Sequence, residues 1–218
     1  YENTAHENDF WPASTIKMYT ATAGLELLTQ WDMSLDAVAT FYHESDSGEW
    51  VEDISITFRE LIRQTFDCSS NTTYTLLLRL AGVDWLHDTF FASRDMFQTA
   101  LMRGYVYSSE RPYGYNLNER QRIIVTDGDH RIERIHEFSG RGYAQEVGCT
   151  VMNEDGTANC TTPYEMSEHL RKIMLHEHLP SSQRFLIRAD LMAWYRGSAE
   201  DLVLNNTAGD DCGGPVYE

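Results

Sequence analysis

Lysine is nearly missing from this chain. Of 17 basic residues, two are lysines, Lys17 and Lys172, and the rest are arginines. Positive charge is scarce altogether: 34 acidic residues set the formal net charge at −17 at pH 7. Such a surface repels phosphate backbones and anionic lipid, which excludes nucleic-acid binding and attachment to a membrane surface. No apolar run reaches the roughly 18 residues a membrane-spanning helix needs, so no membrane insertion is expected. No signal peptide is read in these residues, which open directly on "YENTAHEND" as if from within a longer chain. Cysteine is sparse too: Cys68, Cys149, Cys160 and Cys212 form no C-x-x-C pair, which argues against zinc. Cys149 and Cys160 bracket the polar loop "TVMNEDGTAN", which a disulfide would close in an oxidising compartment. Four cysteines permit three full pairings, and the spacing alone does not choose among them.

What the chain has is helix. Its 42% hydrophobic content suits one compact domain or two interleaved lobes. Ile16, Tyr19, Ala23 and Leu27 recur at helical spacing behind Pro12, predicting a helix that ends near Thr29. Residues 31–53 are mixed, with turn signals such as "SDSGE". Thr57 and Glu60 form a capping box that opens a second helix, and "NTTYTLLLRLAG" reads as a third, closed by Gly82. "VDWLHDTFFAS" reads as a shorter one. "RQRIIVTDGDHRIERIHEF" changes period and predicts two strands about a "DGD" turn, an inserted hairpin. Thr162, Pro163 and Glu165 then mark a further capped helix. "SSQRFLIRADLMAWYRG" predicts another, stopped by Gly197, and the tail is loop-like.

Ser14 and Lys17 stand one turn apart at the head of the first helix, so their side chains share a face. A serine hydroxyl is a weak nucleophile until a base takes its proton, and a lysine amine serves once burial lowers its pKa. Arginine would not, because its guanidinium stays protonated. The helix N-terminus adds stabilisation for developing negative charge.

The phrase "FWPASTIK" resembles the nucleophile motif of the class A β-lactamases and their penicillin-binding relatives. That resemblance implies Ser14 as the acylated nucleophile and Lys17 as its proton acceptor. "DCSSNTTYTLLLRLAG" is similar to the family's S-D-N motif in order and context. It implies that Ser69 relays a proton to the leaving nitrogen and that Asn71 binds the substrate's amide, with Ser70 in place of the family's aspartate. "TTPYEMSEHLRKIM" followed by "RADLMAWYRG" extends the likeness over most of residues 10–197. The implied fold is α+β and β-lactamase/transpeptidase-like, with a dominant helical lobe, an incomplete central antiparallel sheet and an inserted β-hairpin. Residues 1–218 are read as a single domain truncated at both ends, with residues 119–160 as an insertion.

Two family features do not match. The glutamate of the E-x-x-L-N loop has Gly114 at its place before Leu117-Asn118, leaving Glu110 and Glu119 as candidate deacylation bases. No K-T-G or K-S-G follows, since Lys172 lies within a helix. The resemblance implies a serine hydrolase or acyltransferase acting on β-lactams or related amides and esters. Its alternatives are a D-alanyl-peptide peptidase, a slow penicillin binder, or a non-catalytic binding module. It implies an exported, periplasmic or extracellular monomer, a small-molecule or peptide substrate, and no cofactor. "HEH" at His176 to His178 is not expected to hold a metal, because residues two apart on a helix diverge. His87, His130, His136 and His169 are expected at the surface, and the Trp and Tyr residues near the first helix are expected in the core.

Overall fold

Helix α1 (Lys17–Gln30) is the axis about which the rest is arranged. The computed structural model describes residues 4–7, 11–106, 119–151, 153 and 156–205, with backbone alone at 4 and 198–205. Every residue of α1 from Lys17 to Leu28 is buried, the pattern of a helix enclosed on all faces. Its threonines satisfy themselves inside that core: Thr20 and Thr22 donate to the carbonyls of Lys17 (3.0 Å) and Met18 (2.7 Å). Helices α2 (Phe58–Phe66) and α3 (Asn71–Ala81) pack against α1 and against each other. Gly24 permits that packing, because a Cβ there would stand 2.9 Å from the Leu77 side chain on α3.

Strands β1 (Val38–Glu44), β2 (Trp50–Thr57), β4 (Gln121–Asp127) and β5 (His130–His136) form one antiparallel sheet in the order β2-β1-β4-β5. A second pair joins β3 (Ala100–Leu101) to β6 (Asn159–Cys160). Ala39 faces Val125 and Phe41 faces Ile123 across β1 and β4, and all four side chains are fully buried. The hairpin foreseen at 120–138 is therefore built into the main sheet through β4. β1 and β2 lie partly in the stretch read as mixed. Their inward face includes a small Ala39, which weakens the period-2 signal.

The remaining helices are α4 (Val83–Trp85), which continues as a π-helical turn at Leu86–Phe91, α5 (Tyr143–Glu146), α6 (Pro163–Met174) and α7 (Ala189–Asn205). Both threonine caps form, Thr57 Oγ1 accepting from the Glu60 amide (3.3 Å) and Thr162 Oγ1 from that of Glu165 (3.1 Å), while the two glutamate side chains turn to other partners, Glu60 to Arg63 and Glu165 to Gln98 and Thr99. The last helix departs from expectation at both ends. Phe185 and Ile187 are drawn into the core and the Leu186 amide donates to Glu26 (2.6 Å), which holds that segment out of helix. α7 then runs through Gly197, a single glycine costing a helix only about 1 kcal/mol.

The surface expectation fails for two histidines. His169 is completely buried among Tyr19, Phe90 and Phe185, with Nε2 at 3.0 Å from Thr22 Oγ1. His87 is 8% exposed; Nδ1 donates to the Val83 carbonyl (2.7 Å) and Nε2 accepts from the Leu101 amide (3.1 Å). Burial pushes its pKa down to about 4, so it is a neutral structural group. His136 is half-buried on the Arg79 carbonyl (2.7 Å), and His130 is exposed. Of the aromatics at the first helix, Tyr19 is core but Trp11 is 54% exposed. Cys149 and Cys160 are joined, with 5.9 Å between their Cα atoms, and Cys68 is also disulfide-bonded. Cys212 lies outside the described residues.

Candidate active site

The chain enters α1 through Pro12 and a 3-10 turn at Ala13–Ile16. Thr15 closes that turn by donating both its amide (3.2 Å) and its hydroxyl to the Pro12 carbonyl. Ala13 has φ +46°, a left-handed conformation uncommon outside glycine. Ser14 follows it and is exposed, whereas Lys17, one turn on, is 2% exposed.

The second helix start has the same character. Ser69 has φ +52°, and Ser70 caps α3 by accepting from the Thr73 amide (3.3 Å). Asn71 is the first helical residue, and both Ser69 and Asn71 are exposed. Two of the four positive-φ non-glycine residues among those described therefore sit at these two starts. Strain of this kind clusters at functional sites, where the surroundings hold it in place.

Lys17 joins the two. Its Nζ donates to the Ser69 carbonyl, to Ser69 Oγ (3.2 Å) and to Asn71 Oδ1 (2.7 Å), which engages all three ammonium protons. A hydrogen bond from Ser14 to Lys17, expected from their one-turn spacing, is not present among the described residues. The lysine stem leaves the first turn of α1 toward α3, and the nearest oxygens are those of the second motif. No carboxylate pairs with Lys17 among the described residues, and burial pushes its pKa down to about 8. An ammonium held only by neutral oxygens in a water-poor setting is poised to release a proton near neutral pH.

Tyr105, which the sequence patterns did not single out, completes this wall. Its hydroxyl donates to the Ala13 carbonyl (3.2 Å), its amide donates to Thr75 Oγ1 (3.2 Å), and its ring lies 5.8 Å from Lys17 Nζ. A lone tyrosine after Arg103-Gly104 carries no local motif that would mark it.

Of the two carboxylate candidates, Glu110, with Gly114, Leu117 and Asn118, lies outside the described residues. The Glu119 carbonyl accepts from Gln121 Nε2 (3.0 Å), and Gln121 Oε1 accepts from Arg79 Nε (2.6 Å). Arg79 is eight residues along α3 from Asn71, a rise of about 12 Å. Glu119 is thus anchored near the opposite end of α3 from Lys17. The other lysine, Lys172, is half-buried against the Arg94 carbonyl (3.5 Å). Among the described residues no three His, Cys, Asp or Glu side chains converge as metal ligands.

An α+β scaffold has thus placed two strained helix starts face to face across one buried lysine. Residues 3–192 match the model of the beta-lactamase enzyme family, and the chain belongs to that family. At family level it is a β-lactamase-like hydrolase. No curated protein and no solved structure matches it. Among the described residues no helix is long and apolar enough to cross a membrane.

Proposed function

We propose that the protein is a serine acyl-transfer enzyme whose nucleophile is Ser14. Ser14 Oγ attacks the carbonyl carbon of a β-lactam or related amide or ester, and its proton passes to neutral Lys17 Nζ. The tetrahedral intermediate collapses as the C–N or C–O bond breaks; Ser69 gives its hydroxyl proton to the leaving atom and takes one back from Lys17 Nζ, 3.2 Å away, which becomes neutral again. Asn71 orients the substrate's amide through its side chain. Water then hydrolyses the acyl-enzyme. The observation that carries this reading is Lys17, buried with no carboxylate partner among the described residues and bonded to Ser69 and Asn71 at once. With its pKa near 8, about one lysine in ten is neutral at pH 7. No cofactor enters the scheme.

Deacylation is slow in this reading, because Gly114 occupies the place where the resemblance puts a glutamate. That favours a persistent adduct, the behaviour of a penicillin binder, over rapid turnover. A D-alanyl peptide fits the same chemistry as a substrate. The Cys149–Cys160 disulfide supports an exported protein, and we take it to act as a monomer.

Intact-protein mass spectrometry of the full-length protein with a reactive β-lactam tests the scheme. The native protein should gain one adduct, and the Ser14→Ala variant none. Loss of a positioned base lowers rates by about 10²–10⁴-fold, so the adduct should persist well beyond its time of formation. If it is lost quickly, Glu110→Gln and Glu119→Gln variants identify which carboxylate replaces the missing base. A folded native protein that never labels would overturn acyl transfer in favour of a non-catalytic binding module.

A further inference from the structure

Among the described residues Lys17 Nζ donates on one side only, to Ser69 and Asn71 at the head of α3. The side chain of Tyr105 lies on another, and it is held there by an unusual amount of bonding for a loop residue. Asn159, 95% buried on β6, accepts from the amides of Met102 (2.9 Å) and Arg103 (2.9 Å) and donates to the Arg103 carbonyl (2.8 Å). Its amide nitrogen also reaches Tyr74 Oη (3.0 Å), which itself donates to the Arg103 carbonyl (3.0 Å). Gly104 lies so close to α3 that a Cβ there would stand 3.0 Å from both the methyl and the hydroxyl of Thr75. Tyr105 then packs against Tyr74 with 4.9 Å between ring centroids and the rings tilted by 31°. From this clamped base its phenol reaches the Ala13 carbonyl, immediately before Ser14.

We propose that Tyr105 is the positioning residue of this site: its ring shields the Lys17 amine from water, and its hydroxyl fixes the strained turn that presents Ser14. The proposal rests on the acyl-transfer reading for its consequence in rate, but not for its effect on Lys17. Two functions on one side chain are separable. The ring acts on the proton acceptor, and the hydroxyl acts on the nucleophile's backbone. Shielding is the stronger of the ring's two influences on the amine. At 5.8 Å from the centroid a cation–π attraction is at the edge of its range, while exclusion of water from a buried ammonium shifts its titration by whole units. Among the described residues the titratable and hydrogen-bonding groups in contact with Lys17 Nζ are Ser69 and Asn71 at the head of α3 and Tyr105 itself. The nearby Arg103 guanidinium is turned onto Thr157 Oγ1 (3.1 Å).

The scarcity of lysine makes the test direct. In a protein labelled at lysine Cε and Nζ, residues 1–218 contribute two side-chain NMR signals, and Lys17→Arg and Lys172→Arg variants assign them. Tyr105→Ala should raise the Lys17 titration midpoint by about one pH unit, and Tyr105→Phe should leave it in place. Tyr105→Phe should instead slow acylation by about 2- to 10-fold, the loss of one ordinary hydrogen bond. Gly104→Ala keeps the tyrosine but pushes its loop off Thr75, so it should raise the Lys17 midpoint in the same direction. That variant also supplies the answer if Tyr105→Ala does not fold. An unmoved Lys17 midpoint in folded Tyr105→Ala, or in Gly104→Ala if that is the one that folds, overturns the proposal. A midpoint that moves in a native protein that β-lactams never label sustains Tyr105 as the shield and overturns acyl transfer alone.

Discussion

Helix α3 has a buried cation at each end, and the two are held in opposite ways. At its C-terminal end Arg79, 1% exposed, donates to Asp53 Oδ2 (2.7 Å), to the Tyr42 carbonyl (2.9 Å) and to Gln121 Oε1 (2.6 Å). Asp53 is itself fully buried, and its other oxygen lies 2.5 Å from His43 Nδ1. At its N-terminal end Lys17 reaches, among the described residues, neutral oxygens alone. The charge on Arg79 is matched, and that cluster ties α3 to β1, β2 and β4. No described carboxylate matches the charge on Lys17, and burial works against it. A buried cation with a carboxylate is a fastener; one without a carboxylate is a proton donor or acceptor in waiting.

Exchanging the two kinds of cation is the most severe way to break this contrast. Lys17→Arg should lower the acylation rate by about 10²–10⁴-fold, because a guanidinium does not deprotonate in the working range. Stopped-flow labelling checks this against a native profile with a defined shape. The folded Lys17 midpoint is near 8, below its ordinary 10.5, so the native rate should climb about tenfold per pH unit up to 8 and then level. The same shift has a sign in stability. Between about pH 8 and 10.5 the unfolded chain holds a proton that the folded one has released, so this residue makes the fold more stable as pH rises. A Lys17→Met variant should lose that rise in urea titrations across the window.

Removing the fastener's counter-charge sharpens the comparison from the other side. Asp53→Asn keeps the shape but leaves Arg79 buried without its anion, and should destabilise the protein by about 3–5 kcal/mol in chemical unfolding. The Lys17 titration should hardly move, since Asp53 works at the far end of α3. The smallest effect is local. Ser70→Ala removes the cap of α3 and should cost about 1 kcal/mol, read as a modest fall in the unfolding midpoint. A far larger loss would mean that Ser70 fixes Ser69 as well as the helix.

Much of this was legible along the chain. The capping boxes at Thr57 and Thr162 announce themselves by spacing, since the cap and its glutamate are three residues apart. The hairpin shows in its alternation, and Ser14, Lys17, Ser69 and Asn71 show as two short motifs. What the sequence did not carry was contact at long range. Lys17 turns to residues 52 and 54 positions away instead of the serine three before it. Tyr105 reaches back 92 positions to Ala13. Polarity alone puts His87 and His169 at the surface; the aromatic rings that enclose them come from distant parts of the chain. The docking of the hairpin onto β1 depends on a register that neither strand encodes alone.

The enclosure of α1 has a mechanical consequence. A rod gripped along nearly its whole length cannot tilt or slide without disturbing every layer around it. Lys17 stands at the tip of that rod, while Ser14 hangs from the short exposed turn beyond the grip. In the acyl-transfer reading the proton acceptor is therefore held by the core itself, whereas the proposed nucleophile depends on the few bonds that tie its turn, those of Thr15 to Pro12 and of Tyr105 to Ala13.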